Sequence, residues 1–401
     1  MSHLLLPALL SVLLFATSPM GSGAAVCGNG ITEPGEECDD GGICTGSSDT
    51  TLRHCVADAE CPLGHCQPFG GDGCTAKCAR ETQPCDSDCN RDGAVTIDEI
   101  IRGVDIALGT APAQSCAEMD VNGDGAVMIN ELLAGVNNVL TPWQNASVDI
   151  GGYRLRIHCV GSGSPTVVLD SGLGDDYSVW SHVQPDVASL TRVCAYTRAG
   201  LGSGHAASDP GPLPRTSGRM ASELHTLLAN SCLPGPYVLT GHSLGGFNVR
   251  LFAARYPEEV AGIVLVDAAH EDYNERLQSI LSPETWAALQ AATSCSRQPI
   301  GAQNECAGLD QTAAEMHASG PLPQVPMIVL TATLPNPFLE GEAQKQENDL
   351  WLELQSDLLH RIPGSQQILA THSTHYIEVE QPGLVIDAID TIVQKARGAE
   401  R

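Results

Sequence analysis

Gly241-His242-Ser243-Leu244-Gly245-Gly246 sets one serine among glycines, between an apolar run at 238–240 and a helix-like stretch at 247–256. A G-x-S-x-G word between strand and helix holds its serine in a strained turn, with the hydroxyl exposed above a helix N-terminus. The glycines let strand and helix approach each other closely. The chemistry this suits is nucleophilic attack through a covalent intermediate. A second set of chemistry-bearing residues occurs twice. Residues 88–109 and 120–141 match at 11 of 22 aligned positions with a period of 32. Each copy opens with a twelve-residue loop whose alternate positions supply oxygen, the pattern that converges on Ca²⁺. In the first, Asp88, Asn90 and Asp92 stand at positions 1, 3 and 5, Gly93 turns the chain, Ala94 offers a carbonyl, Thr96 is at 9 and Glu99 at 12. The second repeats this with Asp120, Asn122, Asp124, Gly125, Ala126, Met128 and Glu131, a water serving at Met128.

The elements that must carry these residues differ between the two parts of the chain. After a short linker at 141–145, residues 148–159 read as an antiparallel pair turning at Gly151-Gly152. Apolar runs at 166–170, 192–196, 237–240, 263–267, 327–331 and 367–370 read as short buried strands, with amphipathic stretches between them. Such alternation predicts an α/β fold, a doubly wound and mostly parallel sheet covered on both faces. In the repeat, each loop runs into a helix. Ile97, Ile100, Ile101, Val104 and Leu108 form the expected apolar stripe, and Val95 and Val127 are placed to pair the loops through a short strand.

The serine word in this setting resembles the α/β-hydrolase superfamily, of the serine esterase and lipase kind, across 146–401. The resemblance implies several roles. Asp170-Ser171-Gly172-Leu173-Gly174 corresponds to the loop of that fold which lines an oxyanion site, although Ser171 stands where histidine is usual. The backbone N–H groups of Leu173 and Leu244 are then the expected oxyanion donors. His375, between the last strand and the last helix, becomes the general base, with His372 as the alternative. The loop at 332–339 has no carboxylate where the acid commonly lies, so Asp267 is chosen, with Glu340, Glu342, Glu271 and Asp272 as alternatives. His242 is read as a packing or substrate-lining residue, and 198–202 as a structural turn. Residues 271–321 are expected to form a helical cap that sets substrate choice, closed by a Cys295–Cys306 disulfide; Cys159, Cys194 and Cys232 read as packing residues. The implied reaction is hydrolysis of a carboxylic ester (EC 3.1.1) through an acyl-enzyme on Ser243, with no cofactor for catalysis. Amidase, acyltransferase and cofactor-free peroxidase chemistry use the same triad, and an attachment protein with an inactive hydrolase domain is the reading from another class.

The loop–helix pair at 85–141 resembles a dockerin type I module, with glutamate at position 12 as in an EF-hand. This implies two calcium sites and a cohesin-like or cell-surface partner, or else a stiffened spacer. Either Cys85 or Cys89 is expected to bridge to Cys116. Residues 26–84 are rich in cysteine, glycine and aspartate and poor in large apolar residues, so cross-links must hold them, zinc being the rival. Words such as Gly35-Glu36-Glu37-Cys38-Asp39-Asp40-Gly41 resemble a cysteine-rich repeat of myxobacterial-type secreted proteins.

Residues 1–25, an apolar stretch followed by small residues, read as a secretory signal peptide, with a lipoprotein anchor on Cys27 as the weaker option. Sixteen cysteines agree with an oxidising compartment, secreted, cell-surface or periplasmic. No further segment is long and apolar enough to cross a membrane. A formal charge of −28 excludes nucleic acid as the main partner. Residues 27–141 hold 20 acidic and 5 basic side chains, which bound calcium would partly neutralise.

Overall fold

The computed structural model describes residues 86–90, 95–121, 124–140, 146–151, 153–201, 213–231 and 233–399, and strands β1 (Gly42–Thr45), β2 (His54–Cys55) and β3 (His65–Pro68). The expected signal peptide and most of the cysteine-rich segment lie outside these residues. The three short strands form an antiparallel sheet in the order β2-β1-β3.

From Ala146 onward the chain builds an eight-stranded sheet. Its strands are β4 (Ala146–Asp149), β5 (Arg154–Val160), β6 (Thr166–Asp170), β7 (Val193–Thr197), β8 (Tyr237–His242), β9 (Val260–Val266), β10 (Met327–Ala332) and β11 (Gln366–Ala370), in the order β11-β10-β9-β8-β6-β7-β5-β4. Pairing is parallel from β7 to β11 and antiparallel among β4, β5 and β7. Strands β6, β7, β8 and β10 are buried along their whole length. This is why their sequences are continuous apolar runs: both faces are covered. One face packs against α4 (Ser217–Asn230) and α5 (Leu244–Arg255), through Leu224, Leu227, Leu228, Val249 and Phe252. The other packs against α3 (Gln184–Val187) and α12 (Pro382–Ala399), through Val187, Ile389, Ile392 and Val393. Strand β9 begins three residues before the expected 263, and Gly262, which reads as a break, explains the difference. A Cβ there would lie 2.2 Å from Ile392 Cγ2, so the glycine admits α12 onto the strand.

Between β9 and β10 come α6 (Tyr273–Ile280), α7 (Pro283–Ala292), α8 (Ile300–Cys306) and α9 (Leu309–Ala318). Leu277 and Leu289 of this inserted set share a buried cluster with Leu350 and Leu354 of α10 (Gly341–Leu359). A short α11 (Ile377–Glu380) precedes α12.

Disulfides join Cys89 to Cys116, Cys159 to Cys194 and Cys295 to Cys306. The second corrects the reading of Cys159 and Cys194 as packing residues. They stand opposite each other in the β5–β7 ladder, a pairing of segments 35 residues apart that no local pattern displays. Cys85 and Cys232 lie outside the described residues.

In the repeat, α1 (Ile97–Ala107) and α2 (Ile129–Leu140) pack together, but not on the expected stripe. Ile97, Ile101, Val104 and Leu108 are exposed, while α1 buries Glu99, Gly103 and Ile106. Glycine decides the face. A Cβ on Gly103 would lie 2.6 Å from Met119 Cε, and one on Gly135 would lie 2.5 Å from Ser87 Oγ. No strand joins Val95 to Val127; each is buried in its own loop segment.

Candidate active site

Three side chains from three separate strand ends meet in one line. Ser243 Oγ lies 2.8 Å from His375 Nε2, and His375 Nδ1 lies 2.7 Å from Asp267 Oδ2. Ser243 follows β8 directly and has φ 51°, ψ −116°, a region side chains seldom enter. Its turn is held from both sides: Ser243 N–H donates to Val266 O, and Ser243 O accepts from Gly246 and Ala269. The flanking glycines are sterically required. A Cβ on Gly245 would lie 2.3 Å from Asp170 O, and one on Gly246 would lie 2.4 Å from Ala268 Cβ.

Asp267 also has a positive φ, 42°, and is buried just past β9. Its second oxygen accepts from Ala332 N–H at 2.9 Å and from Trp351 Nε1 at 2.8 Å, leaving Oδ2 aimed at the imidazole. Trp351 was not singled out in the sequence; nothing about one tryptophan in an amphipathic helix marks it. The alternative acids lie elsewhere. Glu271 is paired to Arg250 and Arg361, and although burial pushes its carboxyl up, the Arg250 charge brings it down to about 2. Asp272 faces His317 and His270. Glu340 stands at the N-cap position of α10, and Glu342 is in that helix's first turn. His372 is exposed, its ring bonded to Thr371.

His375 is 42% exposed, so a substrate can reach it. Burial of the rest of the ring pulls its pKa down, but the Asp267 hydrogen bond and charge, with Glu378 and Asp175 beyond, hold it above the ordinary histidine value. His242, fully buried, bonds the His375 carbonyl oxygen through Nε2 at 2.9 Å. Burial and the neighbouring His375 keep His242 well below the usual range, and therefore neutral. Its Nδ1 lies 3.1 Å from Glu378 Oε1, a carboxyl that burial pushes up to about 8. No sequence signal marks Glu378, one of two acids in the 378–380 stretch.

The loop after β6 lies directly against this turn. A Cβ on Gly172 would lie 2.9 Å from His242 Nδ1. The N–H of Leu244 is the first of α5 and has no acceptor within the helix. That of Leu173 enters no backbone bond. A cleft of 710 Å³ opens beside the loop, lined by Gly174, Asp175, Val179, Leu201 and, from the segment inserted between β9 and β10, Pro299 and Ile300.

In the repeat, Asp88, Glu99 and Glu131 are buried. Glu99 accepts from the N–H groups of Cys89, Asn90 and Thr96 and from the Thr96 hydroxyl. It thus folds back over the start of its own loop and caps α1. Glu131 takes Met128 N–H at 2.7 Å; Asp120 takes those of Asp124 and Gly125, and Asp124 takes that of Ala126. Asp92, Ala94 and Asn122 lie outside the described residues. Among the described residues no three His, Cys, Asp or Glu side chains converge as a metal site.

Comparison with known proteins agrees with the strand order. Residues 165–297 match the family of the alpha/beta hydrolase fold. The uncharacterized protein YqjL of Bacillus subtilis is 26% identical over 256 residues, 62% of this chain and 91% of that one. A Hormonema carpetanum protein bearing the name "Probable transporter efuK" is 29% identical over 157 residues, 36% of this chain, and the match spans only 22% of its length. Among solved structures, a thermophilic esterase from Thermogutta terrifontis is similar at a TM-score of 0.45 and 20% identity, covering 63% of this chain and 99% of that one. Strand order and the match at 165–297 together define the fold: the C-terminal part of the chain has the α/β-hydrolase fold.

Proposed function

We propose that the protein is a serine hydrolase that cleaves carboxylic esters through an acyl-enzyme on Ser243. The observation that carries this reading is the unbroken Ser243–His375–Asp267 chain, at 2.8 and 2.7 Å. His375 Nε2 takes the serine proton as Oγ attacks the ester carbonyl carbon. Asp267 holds the Nδ1–H tautomer and offsets the imidazolium charge. Negative charge on the former carbonyl oxygen meets the N–H groups of Leu173 and Leu244, a stabilisation worth most in the transition state. Collapse breaks the carbon–oxygen bond and returns the proton from His375 to the departing alcohol. Water, deprotonated by the same imidazole, then frees the acid and restores Ser243. Serine at the turn disfavours dehalogenase or epoxide-opening routes, which need a carboxylate there. The complete triad speaks against an inactive attachment protein.

The N-terminal part is proposed as an exported calcium-binding spacer or attachment module. The spacing of the two loops and their buried carboxylates Asp88, Glu99 and Glu131 support calcium. Three disulfides among the described residues support export to an oxidising compartment. A fluorophosphonate probe tests the central claim. Wild-type protein should be labelled and should hydrolyse p-nitrophenyl esters. Ser243→Ala should lose the label and about 10⁶-fold in kcat. Folded wild-type protein that takes no label would refute the reading.

A further inference from the structure

The expected oxyanion donor Leu173 belongs to a loop gripped by a buried ion pair, one partner of which comes from the cap. Arg198, just past β7, and Glu305, in α8, are 2% and 0% exposed at their side chains. They meet through two bonds, Arg198 Nε to Glu305 Oε1 at 2.7 Å and Nη2 to Oε2 at 3.0 Å. The guanidinium has donors left over, and it spends them on the loop. Nη1 donates to Asp170 Oδ1 and to Ser171 O, each at 2.8 Å, and Nη2 donates to Gly172 O at 2.6 Å. Glu305 Oε2 also accepts the N–H of Gly174 at 3.0 Å.

These contacts select one peptide group. The carbonyl of Gly172 and the N–H of Leu173 belong to the same planar amide, so fixing the oxygen fixes the direction of the N–H. A guanidinium on that oxygen also polarises the amide and strengthens its N–H as a donor. The following amide is fixed by Glu305 at Gly174. Leu173 is therefore clamped on both sides. Helix α8 is held hard against this region: a Cβ on Gly301 would lie 2.0 Å from Gly200 O, and one on Gly174 would lie 2.7 Å from Ala302 Cβ. The Arg215 N–H donates to Asn304 O beside it.

We propose that Glu305 is a positioning residue for the reaction, supplied by the cap, which acts through Arg198 and Gly174 to set the Leu173 N–H toward the oxyanion. The cap then completes the catalytic geometry as well as covering the cleft. This proposal rests on the serine-hydrolase reading and on Leu173 as a donor. Misplacement by about 1 Å can cost on the order of 10²-fold in rate, which sets the expected scale.

The test begins with wild-type protein that takes the fluorophosphonate label and turns over a p-nitrophenyl ester; absence of both would refute the serine-hydrolase reading itself. Given that activity, Glu305→Gln is assayed well below its melting temperature. Its kcat should fall roughly 10- to 100-fold, with KM within about twofold, because the change is felt in the transition state. Affinity for a trifluoromethyl ketone inhibitor should fall by the same factor, while the acidic limb of the pH profile stays with His375. Arg198→Lys keeps the buried cation but not the fork, and should reproduce that pattern. It also carries the test if Glu305→Gln does not fold. A kcat within about twofold of wild type in either folded variant, or a loss confined to KM, would overturn the proposal.

Discussion

The strands of the C-terminal part bury nearly all their apolar side chains, whereas the helices of the repeat expose most of theirs and bury carboxylates beside a small apolar cluster. In the sheet, Val167, Leu169, Val238, Leu239, Val264 and Leu265 are inaccessible to solvent, and the charges buried nearby are paired, Arg198 with Asp170 and Arg250 with Glu271. In the repeat, Ile97, Leu108 and Ile129 are 69%, 72% and 71% exposed, while Glu99 and Glu131 are buried. A large doubly wound domain has interior enough to stand on apolar burial. A loop–helix pair does not, and it relies on carboxylates folded onto loop N–H groups and on the Cys89–Cys116 crosslink. Burial therefore marks an apolar core in one region and carboxylates folded onto loop N–H groups in the other.

Three perturbations put this contrast to the test. The largest effect belongs to the polar centre of the first region. Asp267→Asn should leave the fold intact and cut kcat by about 10⁴-fold, since the amide favours the wrong imidazole tautomer. His375 must be neutral to accept a proton, and its pKa is raised above 6.5, so kcat/KM should climb with pH through a limb above that value. Removing the Asp267 charge should move the limb downward. An unchanged rate would assign the acid to another residue.

Next in size is a direct comparison of apolar positions. Phe252→Ala, at a fully buried site packed against Tyr237 and Tyr256, should cost about 3–5 kcal/mol in urea unfolding. Ile97→Ser, in the repeat, should change stability by less than about 0.5 kcal/mol. Equal costs would mean that the exposed helix face is covered in solution.

The last perturbation, which leaves the chemistry untouched, is the calcium response. With calcium at a hundredfold its Kd, thermal unfolding of the repeat should be delayed by about 2.7 kcal/mol per site. Glu99→Gln with Glu131→Gln should abolish the delay and leave ester hydrolysis as it was. Apo protein as stable as the calcium-loaded form would remove calcium from the account.

The readability of the sequence follows the same division. Parallel strands buried on both faces appear as apolar runs, and G-x-S-x-G between a strand and a helix is a local word, so the sheet and Ser243 were visible. His375 and Asp267 were approached through fold position, since each lies more than a hundred residues from its partner. Trp351, Glu305 and Glu378 were not visible. Each acts through contacts made only after distant segments pack, and no spacing rule announces such contacts. Apolar periodicity misled in α1, because two facing glycines, not the hydrophobic stripe, chose the packed side.

Glu378 carries one more consequence, for proton uptake. Its carboxyl ionises near pH 8 when folded, against 4.5 ordinarily, so at neutrality the native chain holds a proton that the unfolded chain has released. The formal charge of −28 counts this residue as an anion, whereas in the folded molecule Glu378 itself is mostly neutral at pH 7. Folding at pH 7 should therefore draw a proton from the buffer, so the calorimetric heat should vary with the buffer's ionisation enthalpy. Between pH 4.5 and about 8 the native state binds the extra proton, and this group's contribution to stability declines as pH rises, by about 1.4 kcal/mol per unit.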